Sequence, residues 1–94
     1  MPRFLIKRNF GPLDDDEMHQ VGVDSHRVIA EKTPDIVWEV SHVVAGPTGE
    51  IVTFCIYEAP NEERILEHAS LLGRHHIDVI YEIGGDVSPA DFPL

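Results

Sequence analysis

IVWEVSHVVA (residues 36–45), GPTG (46–49) and EIVTFCIYE (50–58) follow one another in the chain, and their reading decides the fold. The outer segments are rich in β-branched and aromatic residues, a composition that fits a pleated surface better than a helix. Gly46-Pro47-Thr48-Gly49 between them is a turn signal. The stretch therefore reads as a hairpin. With a four-residue turn at 46–49, position 42 sits opposite 53, and 40 opposite 55. Side-chain alternation then puts Trp38, Val40, His42, Thr53, Cys55 and Tyr57 on one face, with Val37, Val43, Val52, Phe54 and Ile56 on the other. The second set is more purely aliphatic and is expected beneath helices. The first is mixed and is expected on a face that no helix covers.

Working outward, residues 3–9 form a strand carrying Phe4, Leu5 and Ile6, broken by Gly11-Pro12. Asp14 offers a helix N-cap with Glu17 three positions on, an acidic version of the capping box. Met18, Val21, Ser25, Val28, Ile29 and Lys32 recur at helical spacing, and Pro34-Asp35 ends that helix. Beyond the hairpin, Asn61 caps a second helix with Ile65, Leu66, Ala69 and Leu72 as its buried stripe and Gly73 as its stop. Residues 77–83 are the last strand. Residues 1–84 thus make one domain, and Gly84-Gly85 releases an extended tail over 85–94.

The order β-α-β-β-α-β, with right-handed crossovers around a central hairpin, predicts an α+β ferredoxin-like sandwich. Its antiparallel sheet has strand order 4-1-3-2, with both helices on one face. An uncovered apolar sheet face usually marks an interface. A homodimer closing sheet against sheet, as a dimeric α/β barrel, is the expected assembly. Trp38, Val40, Thr53, Cys55 and Tyr57 would line the semi-polar cavity between the sheets.

Composition narrows the functions. The net charge of −10 excludes nucleic acid as a natural partner, since phosphate binding relies on clustered cations. Arg3, Lys7 and Arg8 are the only local concentration of positive charge. The apolar runs are too short to cross a membrane, and the first eight residues turn polar too soon for a signal peptide, so a cytoplasmic location is expected. Cys55 is the sole cysteine and reads as a small buried strand residue rather than a nucleophile.

The six histidines, at 19, 26, 42, 68, 75 and 76, are the feature richest in chemistry. The topology gathers His19, His42, His75 and His76 at one end of the sandwich, together with the acidic run Asp14, Asp15, Asp16 and Glu17. Imidazole nitrogen and carboxylate oxygen suit a divalent transition metal. Neither helix carries a His-x-x-x-His pair. His19 and His26 lie roughly 10 Å apart along one helix and cannot share an ion. His26 and His68 are expected at the boundaries of their helices, and His42 on the uncovered sheet face.

Met1-Pro2-Arg3-Phe4-Leu5-Ile6, Trp38-Glu39-Val40-Ser41-His42-Val43, Phe54-Cys55-Ile56-Tyr57-Glu58-Ala59-Pro60, and Glu67-His68-Ala69 followed by Ile77-Asp78-Val79-Ile80-Tyr81-Glu82-Ile83 resemble a family of small ferredoxin-like bacterial proteins. That family is dimeric, is labelled nickel-binding and has no established reaction. The resemblance covers most of residues 1–83, and Trp38, Ser41, Cys55, Tyr57 and His68 match its pattern. Relatives often read Trp-x-His-Ser-Tyr in the second strand, whereas this chain has Val40 before Ser41 and His42 after it. The resemblance implies nickel or another divalent transition metal; the residues of this chain offer His42, His68, His75 and His76, with the run Asp14 to Glu17, as candidate ligands. Storage, buffering or sensing of the ion would then be the role. Two other functions stay open. One is a cofactor-independent monooxygenase or isomerase with His42 as acid or base beside Tyr57 and Cys55. The other is a dimeric interaction module in which the histidines are incidental.

Overall fold

The computed structural model describes residues 1–94. Strand β1 (Arg3–Gly11) buries every second residue, so Phe4, Ile6, Arg8 and Phe10 point to one side. Helix α1 (Asp15–Glu31) begins on a complete capping box: the Asp14 carboxylate accepts from the Glu17 amide at 2.7 Å, and Glu17 accepts from the Asp14 amide at 3.1 Å. Three acids in its first turn complement the helix dipole. Val21, Ser25 and Ile29, one helical turn apart, form its buried line.

Strands β2 (Val37–Ala45) and β3 (Ile51–Glu58) form the hairpin. Helix α2 (Glu62–Leu72) is capped by Asn61, whose side chain accepts from the Arg64 amide, and stops at Gly73 with φ 68. That left-handed backbone suits a residue without Cβ. Strand β4 (His76–Glu82) completes the sheet, and a 3-10 turn at Pro89–Asp91 is the only regular structure in the tail. The four strands are antiparallel in the order β2-β3-β1-β4. This is the ferredoxin-like order expected, read from the other edge. The principal core cluster joins Phe4, Ile6, Ile29, Ile36, Cys55, Tyr57, Ala59 and Ile65 between sheet and helices. Ile6 and Ile65 are fully buried, and each contributes about 1.5–3 kcal/mol by leaving water.

The hairpin departs from the sequence reading in two places. Ala45 pairs with Ile51, leaving 46–50 in the turn rather than 46–49, so His42 lies opposite Phe54 and Val40 opposite Ile56. A bulge between Trp38 and Val40 then shifts the alternation of β2 by one residue. Trp38, Ser41 and Val43 consequently share the helix side with Tyr57, Cys55 and Thr53, the residues they pair with. Val40, His42 and Val44 share the bare side with Ile56, Phe54 and Val52.

The faces of β3 are thus the reverse of those expected. Thr53, Cys55 and Tyr57 lie under the helices, while the aliphatic set is on the bare face. The physical reason is that the Tyr57 hydroxyl finds partners inside, which makes burial of so polar a row affordable. Two helix residues also differ. His68 is fully buried rather than at a boundary, and Leu66 is half exposed instead of in the stripe.

Candidate functional site

Two places carry chemistry, one on each side of the sheet. On the helix side, α1 stands away from β2 and leaves a cavity of about 550 Å³. Trp38, Thr53, Cys55 and Tyr57 line it, as the sequence grouped them, but it lies between α1 and the sheet of one chain instead of between two sheets; Val40 borders it only next to the β2 bulge and belongs to the bare-side row. Met18, Val21 and Gly22 of α1 form the opposite wall.

At its base is a buried polar cluster that sequence reasoning missed. Arg8, grouped in the sequence with Arg3 and Lys7 as the one local concentration of positive charge, is 2 % exposed. Its guanidinium lies 4.9 Å from the Tyr57 ring centroid, a cation–π contact, and Nη1 donates to the Tyr57 hydroxyl at 3.3 Å. Nη2 is 3.5 Å from His68 Nδ1. An arginine only donates, so Nδ1 is the accepting nitrogen and Nε2 carries the proton. That Nε2 donates to Ser25 Oγ at 3.2 Å, and the Tyr57 hydroxyl lies 3.4 Å from the same oxygen. Burial, reinforced by Arg8, pushes the His68 pKa down to about 4, and His68 is neutral at neutral pH. Burial also raises the pKa of Tyr57, keeping its hydroxyl protonated. The signal for Arg8 was present in the strict alternation Phe4, Ile6, Arg8, Phe10, which assigns it to the core face.

The other candidate ligands are dispersed. His75 stacks on Phe10 with ring centroids 4.8 Å apart and donates from Nδ1 to the Gly73 carbonyl at 2.7 Å, leaving an Nε2 lone pair that meets no partner. Its pKa is lowered, chiefly by burial. His76 is exposed and its Nε2 lies 2.9 Å from Asp78. His42 is exposed on the bare face, two strands away from β1. Asp14 to Glu17 cap α1 at the surface. Within one chain no group of three His, Cys, Asp or Glu side chains converges as a metal site would require. His68 has both ring nitrogens engaged and faces a guanidinium, a poor place for a second cation.

The geometry also separates the residues invoked for acid–base chemistry. His42 points to the bare face and Cys55 and Tyr57 to the helix side, so the three share no pocket and His42 makes no pair with Cys55.

The bare face is apolar. Val37, Val40 and Val44 of β2 are 45, 43 and 40 % exposed, and Tyr81 of β4 is 61 % exposed. Leu5, Phe54, Ile56 and Val79 lie between them, half-buried. One register row crosses this face: His42 pairs with Phe54, Phe54 with Lys7, and Lys7 with Val79. His76 and Asp78 flank the far end of that row. No helix is long and apolar enough to cross a membrane.

The model of the nickel responsive protein SCO4226-like family matches residues 4–83. The crystal structure of SCO4226 from Streptomyces coelicolor A3(2) superposes with a TM-score of 0.67, covering 90 % of this chain and 99 % of that one at 23 % identity, a likeness of fold. No curated protein matches the chain. The chain belongs to the nickel responsive protein SCO4226-like family.

Proposed function

From that membership, we propose that the protein is a nickel-binding homodimer that senses or buffers the ion, with each site completed by two copies. The observation that carries this reading is the row His42–Phe54–Lys7–Val79 on an uncovered apolar face. Within one copy, His42 and the β4 ligands are three strand spacings apart, roughly 14 Å, too far to share an ion. A two-fold axis parallel to the strands, midway between β3 and β1, lays β2 of one copy over β4 of the other. It keeps the row on itself, so His42 meets the partner's Val79 and its neighbours His76 and Asp78.

Two imidazoles and one carboxylate are a donor set suited to nickel and other first-row ions, with remaining positions open to water. In one copy His76 and Asp78 already lie within 2.9 Å of each other, so the β4 half of the donor set is preformed. The same axis buries Val40, Val44, Phe54 and Ile56, which supplies the driving force for association. Of the histidines expected to ligate, His42 and His76 carry this site. His68 and His75 are held by the core.

Nickel titrations of the wild type and of His42→Ala, His76→Ala and His75→Ala test this reading. The first two variants should each lose about tenfold or more in affinity, the third little. Equal affinity in all four proteins would sink it. Nickel near 100 times its dissociation constant should stabilise the wild type by about 2.7 kcal/mol, with no such gain from magnesium, which prefers oxygen ligands.

A further inference from the structure

The cavity on the helix side is independent of that metal reading, and its chemistry points the opposite way. A buried guanidinium stands at its base, and no carboxylate pairs with it: the ion pairs of the chain involve Arg3, Lys7, Arg27, Arg64, Arg74 and His76, never Arg8. A charge removed from water is costly unless a counter-charge or a full set of hydrogen bonds compensates it. Here the compensation stops short, because Arg8 Nε is buried without any partner.

Beside Arg8 the remaining polar groups of the lining are hydroxyls, while Asp15, His19 and Glu39 belong to its exposed margin. Ser25 Oγ accepts from His68 and shares a hydrogen bond with the Tyr57 hydroxyl in which either oxygen can donate. Ser41 Oγ accepts from the Trp38 indole at 2.8 Å, which frees its proton. Thr53 accepts from the Cys55 thiol and is in the same position. An unpaired cation beside hydroxyls that can turn a proton toward a ligand, with the carboxylates confined to the exposed margin, favours an acceptor-rich anion.

The walls set the rest of the ligand. Trp38, Val43, Met18 and Val21 are apolar. Asp15 stands at the rim, and Glu39 there is already held by Arg3 at 2.8 Å, so a second negative charge at the outer end of the ligand would be repelled. The volume of about 550 Å³ lies within the range of small-molecule sites. Gly22 faces this space from the middle of α1, and a Cβ built there meets nothing within 4 Å. Glycine is a poor helix residue, and here it costs the helix stability while enlarging the cavity.

We propose that the cavity between α1 and the β2–β3 hairpin binds a small monocarboxylate with an apolar body, its carboxylate on Arg8 and its body against Trp38 and the wall of α1. The site takes a negative ligand and excludes a metal cation, so the chain holds two sites of opposite charge preference on opposite faces of one sheet.

Calorimetric titration of the metal-free protein with phenylacetate, benzoate and hexanoate, each beside its neutral primary amide, tests the proposal. At least one acid should bind saturably below about 10 mM, and its amide at least about tenfold more weakly, the usual worth of one charge-assisted contact. Arg8→Met should abolish the preference for the acid. Because that change falls in the core, Gly22→Leu provides the independent variant: it fills the cavity, improves the helix and should eliminate binding in a protein at least as heat-stable as the wild type. Absence of binding by all three acids, equal binding of acid and amide, or undiminished binding in Gly22→Leu would each overturn the assignment.

Discussion

Arg8, Tyr57, Ser25 and His68 show how far single residues can be read. Tyr57 and His68 stood out in the sequence for their chemistry, yet the first was expected on the bare face and the second at a helix boundary. What sequence alone could not supply was the partner for each polar atom, since those partners come from β1, α1 and α2 and meet only in three dimensions. The cluster has a measurable signature. With a folded pKa of about 4 against 6.5 in the unfolded chain, His68 stays neutral in the native state while the unfolded chain takes up a proton. The unfolded state therefore binds more protons between those values, and stability present above pH 6.5 is lost as pH falls toward 4. The limit of that loss is on the order of 3 kcal/mol, and His75, shifted the same way, adds to it. Urea melts in chelator from pH 7.5 to about 4.5 should show the slope, and His68→Asn should flatten it. An unchanged slope in that variant would mean that the pH dependence arises elsewhere.

Among the elements, those with local punctuation were legible and the one with a local irregularity was not. Asp14 with Glu17, Asn61 and Gly73 mark the helix ends in sequence, and each performs its capping role in the structure. Asp14→Ala should remove the cap of α1 and cost about 1 kcal/mol, read from urea melts at neutral pH. A change within error would mean that α1 is held by packing alone. The bulge at Glu39 has no comparable signature. A run such as Val37-Trp38-Glu39-Val40-Ser41 satisfies strict alternation as readily as a bulged strand, and the extra residue in the 46–50 turn is equally silent. Two one-residue shifts of this kind decide which side chains share a face. They move Val40 and His42 off the face shared by Trp38, Thr53, Cys55 and Tyr57, whereas the wrong side for that row came from expecting the more aliphatic row beneath the helices.

For the whole molecule, the fold follows from element order, whereas the proposed metal site could not be read from one chain, because its ligands would converge only in an assembly of two copies. Under that proposal, pairing of the apolar faces, with His42 at one edge and His76 and Asp78 at the other, would account for both the missing convergence within one chain and the exposed valines. Mixing two disabled variants tests that account most directly. His42→Ala and His76→Ala proteins each lack part of both sites in their own homodimers. When the two are unfolded and refolded together, half of the dimers are hybrids, and each hybrid retains one intact site. High-affinity nickel capacity should therefore return to about a quarter of the wild-type value in the mixture, while remaining absent from either variant alone. A mixture that binds no more nickel than its separate components would contradict a site shared between two copies.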